Sequence, residues 1–142
     1  MERAAALAHA LRLLARRAMS EARLKEKLLA RFAPEEIEEA LERLKAMGYL
    51  DDRAFAETYV ATRARYGPMK LRRLLLAQGV GEEIVEAVLP KEEDVLQAAL
   101  KVLRRYPRRG DKAKAVRFLK GRGFPLGVAL EAYRLVKEEE SG

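Results

Sequence analysis

The sequence contains no cysteine, no asparagine and a single histidine, His9. Without cysteine there is no disulfide, no thiolate metal ligand and no thiol nucleophile. One imidazole cannot build a histidine-based metal cluster within a chain. Side-chain amides are scarce too, with Gln78 and Gln97 the only two. Because such amides are leading readers of base edges, this scarcity disfavours sequence-specific readout of DNA. Few thermolabile residues beside dense arginine and glutamate lean towards a protein melting above the usual mesophile range of ~45–65 °C. No apolar run nears the ~20 residues that cross a bilayer. The start, with Glu2, Arg3 and His9 among alanines, lacks the basic-then-apolar order of a secretion signal. A soluble, cytoplasmic protein with no membrane partner is expected.

Catalytic equipment is missing as well. Hydroxyls come from Ser20, Thr58, Thr62, Ser141 and the tyrosines, and Ser20, just before a helical stretch, reads as an N-cap. No glycine–lysine pair is followed by serine or threonine, so there is no phosphate loop of the Walker type. Neither a zinc-protease helix motif nor a calcium loop is present. Asp51 and Asp52 form the only adjacent aspartate pair. Preceding a helix, they suit capping of free N–H groups better than metal or acid–base work, since two carboxylates alone seldom hold magnesium. The expectation is a protein that is not an enzyme and has no cofactor, no metal site and no catalytic residue.

What the chain does have is helix periodicity and positive charge. Its 142 residues are 49% apolar and 36% charged, enough of each for a buried core and a solvated shell. The net charge is +7, and it is concentrated. Residues 101–122 hold ten cations, Lys101, Arg104, Arg105, Arg108, Arg109, Lys112, Lys114, Arg117, Lys120 and Arg122, against one acid, Asp111. Such a field attracts polyanions, and nucleic acid or an acidic surface beside it is the expected partner.

Apolar residues recur at spacings of three and four, as in Leu7, Leu11 and Leu14 or Ile37, Leu41 and Leu44, and no segment alternates with period two. Gly48, Gly67, Gly79, Gly81, Gly110, Gly123 and all five prolines fall at the breaks. The pattern predicts nine helices, at 3–18, 21–31, 34–47, 52–66, 68–78, 81–89, 92–105, 111–122 and 125–138. These group in threes. LLARFAPEEIEEA at 28–40 matches LLAQGVGEEIVEA at 75–87 under a shift of 47. LLAQGVG at 75–81 lies over LKGRGFP at 119–125 under a shift of 44, placing Gly79 on Gly123. The fold class is therefore all-α, three tandem three-helix repeats in an extended modular array, with repeats at 1–50, 51–90 and 91–142. By the same alignment, Phe32 stands where glycine is expected.

AMGYLDDRAFAETYV at 46–60, followed by Arg63, resembles the RecX family of recombination regulators. ALRLLARRAMSEARLKEKLLARF at 10–32, LLAQGVGEEIVEAVL at 75–89 and FLKGRGFPLGVALEAY at 118–133 are similar to that family's first, second and third repeats. The resemblance implies binding to the RecA recombinase, chiefly as its filament on single-stranded DNA. It further implies inhibition of RecA's ATPase, strand exchange and filament growth without catalytic site or cofactor, and a monomer is expected. Candidate filament or nucleic-acid contacts are Arg104, Arg105, Arg108, Arg109, Lys112, Lys114, Arg117, Lys120 and Arg122. Arg23, Lys25, Arg63, Lys70, Arg72 and Arg73 are candidates for a partner-binding stripe. Gly48, Tyr49, Leu50, Asp51, Asp52, Phe55 and Tyr59 read as signature scaffold, with Gly48 suited to a helix C-cap and Leu50, Phe55 and Tyr59 to core. Two other readings stay open: a stand-alone DNA-binding protein of helix-turn-helix type, and a helical adaptor for an acidic protein.

Overall fold

A computed structural model describes residues 2–142, the first two of them by backbone alone. Every regular element among the described residues is an α-helix: α1 Glu2–Arg16, α2 Glu21–Leu29, α3 Pro34–Ala46, α4 Asp52–Ala61, α5 Pro68–Ala77, α6 Glu82–Val88, α7 Glu92–Arg104, α8 Lys112–Gly121 and α9 Leu126–Ser141. The nine match the predicted elements in order. The largest departure is α4, which stops at Ala61 instead of 66. Residues 62–66 form tight turns, with Arg63 N–H on the Val60 carbonyl and Tyr66 N–H on that of Arg63. Pro68 disfavours helical backbone at the residue before it, so the chain leaves α4 early and enters α5 at Gly67.

The described residues fall into two compact units. One runs up to Tyr59 and takes in Leu75–Ala87; the other holds Val60–Leu74 and Val88–Gly142. In the first, Ile37, Leu41 and Leu44 on one face of α3 bury against Ala10, Leu24, Leu28 and Leu50. In the second, Val95, Ala99 and Leu103 of α7 pack with Ala115 and Leu119 of α8, Phe124, and Ala129, Ala132 and Val136 of α9. Phe124 is the largest side chain almost wholly out of solvent, and burying it is worth about 2–3 kcal/mol.

Within each unit the start of one repeat's second helix seats on the turn that ends the next repeat's second helix. Ser20, the residue before α2, donates its hydroxyl to the Gln78 carbonyl at 2.5 Å. In the other unit Gly67, the residue before α5, donates its N–H to the Arg122 carbonyl at 2.7 Å, and Met69 N–H reaches Gly123 O at 3.0 Å. The donors are 47 residues apart and the acceptors 44, the two shifts by which the sequence repeats. The turns end in Gly79 (φ +85°) and Gly123 (φ +96°), a left-handed conformation that suits glycine. Close approach adds a second reason: a Cβ at Gly79 would lie 2.5 Å from Ala22 Cβ, and one at Gly123 would lie 2.4 Å from Lys70 Cβ.

The corresponding turn at Phe32 is built differently. No non-glycine residue among those described has a positive φ, and the N–H groups of Arg31 and Phe32 both bond to the Leu28 carbonyl. The Phe32 ring packs on the first core and lies 5.8 Å from the His9 ring.

Candidate partner and nucleic-acid interface

The surface chemistry is cationic, and the fold sorts the cations into groups. On α2, Lys25 pairs with Glu38 at 2.6 Å and Arg23 faces Glu26 at 3.7 Å. The members of the expected stripe on α2 are thus met by neighbouring acids, which lowers their pull on a polyanion. Arg63, in the turn after α4, donates to Thr62 Oγ1 at 3.1 Å.

The second unit concentrates the rest. Tyr106 and Phe118 stack with centroids 4.1 Å apart and planes 2° from parallel, and the Arg122 guanidinium lies 5.0 Å above Phe118. Arg122 therefore spends its side chain on a cation–π layer and its carbonyl on Gly67. Arg104 makes a two-pronged contact with Glu139, at 3.1 and 2.6 Å. Arg109 meets Glu140 at 2.7 Å and donates to the Tyr106 carbonyl. The hydrogen bond from Arg104 holds the Glu139 carboxyl below its ordinary range, which favours its ionised form. Arg105, Arg108, Lys112, Arg117 and Lys120 are exposed, and Lys114 is half-buried. Four arginines close in sequence thus divide: Arg105 and Arg108 reach solvent while Arg104 and Arg109 are tied to the end of α9.

A cavity of about 350 Å³ gathers residues from both candidate sets. It is lined by Met69, Lys70 and Arg73 of α5, Lys120 and Gly121 of α8, the Gly123–Phe124–Pro125 turn, and Leu126 of α9. Lys70 Nζ also sits 4.1 Å from the Tyr66 ring centre, and the Arg65 guanidinium lies 4.8 Å from it. Tyr66 went unnoticed in the sequence, although an aromatic flanked by Arg65 and Lys70 is a legible signal. The hydrogen bond from Arg65, then the charges of Arg65, Lys70 and Arg122, pull its phenol below the ordinary tyrosine range. In an ultraviolet titration of the five tyrosines, one is expected to ionise ahead of the rest. Tyr66→Phe should remove that early step alone; if the step survives, the cation cluster does not act on Tyr66.

The signature residues divide between support and surface. Gly48 (φ +79°) closes α3, with Tyr49 N–H on the Leu44 carbonyl at 2.9 Å. Leu50 and Tyr59 are buried, and Phe55 packs tilted on Tyr59 at 5.8 Å. Tyr49 is 62% exposed, so its ring is offered to solvent and takes no part in the core. Asp51 caps α4 through Ala54 N–H at 3.0 Å. Asp52 instead accepts the Glu21 N–H at 2.8 Å, capping the start of α2 from 31 residues away. Ser20 caps the same helix through Arg23 N–H. Among the described residues, no group of three or more His, Asp or Glu is placed to hold a metal ion. No helix among them is long and apolar enough to cross a membrane.

Comparison with known proteins places these features in a family. A model described as the first three-helix domain of RecX matches residues 6–44, and one for its second three-helix domain matches residues 51–89. A regulatory protein RecX of Thermus thermophilus is 66% identical over 138 residues, covering 96% of each chain. That of Chlorobaculum tepidum is 40% identical, covering 99% of this chain and 93% of its own. The crystal structure of RecX from Lactobacillus salivarius shares the fold with a TM-score of 0.85 at 17% identity, over 96% of this chain and 97% of that one. A second crystal structure, of a regulatory protein RecX, gives 0.77 at 26% identity over 96% and 73%.

Proposed function

This chain belongs to the RecX family of regulatory proteins, and from that membership we propose that it binds the RecA recombinase and its filament on single-stranded DNA. It inhibits the filament's ATPase, strand exchange and growth. It acts in the cytoplasm as a monomer in homologous recombination, DNA repair and the SOS response, with no cofactor and no catalysis of its own. The carrying observation is the 66% identity to regulatory RecX across nearly the whole chain. The exposed cations on the α7–α8 connection and α8 support the reading, because a filament presents a polyanion beside protein walls.

The test is ATP turnover. Added to cognate RecA, ATP and single-stranded DNA, the protein should slow hydrolysis while hydrolysing no nucleotide alone. Unchanged turnover at saturating, folded protein sinks the reading. Binding to the oligonucleotide without any effect on turnover would favour the stand-alone DNA-binding alternative.

The sorting of the arginines sets a finer expectation. Each neutralised phosphate contributes about −0.7 to the log–log salt slope on single strands, so Arg105→Ser with Arg108→Ser should flatten it by about 1.4. Arg104→Ser with Arg109→Ser should flatten it less, because Glu139 and Glu140 already occupy those guanidiniums. Equal slopes for the two double variants would show that the α9 carboxylates do not hold their partners in solution.

A further inference from the structure

The cavity between α5 and the α8–α9 turn combines two features that a phosphate backbone does not need together. Three cations line it, Lys70, Arg73 and Lys120, and no carboxylate does. At the same cavity Met69 is 59% exposed and Leu126 50% exposed, two large apolar side chains held in water. A single strand is gripped through flat aromatic faces on which bases stack. Here those faces are taken: Tyr66 by Lys70 and Arg65, Phe118 by Tyr106 and Arg122, while Phe124 is 1% exposed.

We propose that this groove docks a short acidic segment of a protein partner, its carboxylates on Lys70, Arg73 and Lys120 and one aliphatic or methionine side chain lodged between Met69 and Leu126. Charge complementarity fixes the sign of the partner, and the exposed apolar pair makes it a peptide. Methionine, unbranched and polarizable, adapts to such a side chain at little packing cost. A volume of about 350 Å³ is at the small end of ligand pockets, suited to a few side chains and too small for a folded element. The proposal rests on the RecX reading only for the identity of the partner, the recombinase.

Two double variants separate the outcomes, all four positions being exposed so that the fold is retained. Met69→Ser with Leu126→Ser removes the apolar pair and keeps the charge. Arg73→Glu with Lys120→Glu reverses the charge and keeps the apolar pair. Each is measured by equilibrium binding to cognate RecA without DNA and, separately, to an oligo-dT strand. Both variants should bind the recombinase about tenfold more weakly, a loss of about 1.4 kcal/mol, and the serine variant should bind oligo-dT as wild type does. If wild type binds the recombinase and both variants match it, the groove is not the docking site. If the serine variant is unaffected while the glutamate variant loses oligo-dT alone, the groove is a nucleic-acid site and the proposal falls. Wild type that fails to bind the recombinase at all overturns the partner's identity instead, an outcome visible before any variant is made.

Discussion

Gly67→Ala is expected to lower the melting temperature by about 10 °C, a large penalty for one methyl group. A Cβ there would stand 2.5 Å from both the carbonyl carbon and oxygen of Gly123, and 2.6 Å from Phe124 N. All three are backbone atoms, so no side chain can rotate aside. Relief requires α5 to lift from the turn, which breaks the Gly67-to-Arg122 and Met69-to-Gly123 hydrogen bonds. Overpacking costs about 1–3 kcal/mol and each lost bond about 1 kcal/mol, for a total near 3–5 kcal/mol. Thermal unfolding followed by circular dichroism measures it. The control is Gly121→Ala in α8, where nothing lies within 4 Å of the new methyl and better helix propensity should stabilise by up to about 1 kcal/mol. If Gly67→Ala melts with wild type, the joint is not tight in solution.

The second large effect is at Ser20. Its buried hydroxyl accepts the Arg23 N–H and donates to the Gln78 carbonyl. Ser20→Ala should cost about 2–4 kcal/mol in urea unfolding, about 1 from the lost cap and the remainder from a carbonyl left without its donor. Ser20→Asp separates the two. It preserves a capping acceptor but turns a carboxylate towards the Gln78 carbonyl. If capping is all that Ser20 does, aspartate restores wild-type stability; if the joint matters, aspartate is worse than alanine.

The helices were legible because their signals are local. Apolar spacing of three and four marks the faces that become the cores, as with Val95, Ala99 and Leu103, and proline and glycine mark the ends. The cap at Ser20 was readable for the same reason. Which helix Asp52 caps was not, since its partner is Glu21 and nothing in sequence spacing links a carboxylate to an N–H 31 residues earlier. The joints were hidden because their hydrogen bonds end on carbonyls, and one of them starts from a backbone N–H too; such groups leave no residue-type signature. The periodicity that produces them was visible as the shifts of 47 and 44. Charge counting found the basic segment, yet it could not show that Arg104 and Arg109 turn to Glu139 and Glu140, because ion pairs across 35 and 31 residues depend on how α7 and α9 pack.

The turn at Phe32 limits how such an array can grow. Gly79 and Gly123 are bare because another helix start presses on each. At the equivalent place Phe32 raises a ring that packs on its own core and beside His9. A further repeat engineered ahead of α1 would have to seat its second helix there and would collide with that ring. Lengthening the protein by duplication is therefore easier in its interior, where both mating surfaces already exist. Phe32 makes the first repeat a starting block, able to pass the pattern forward but unable to receive it.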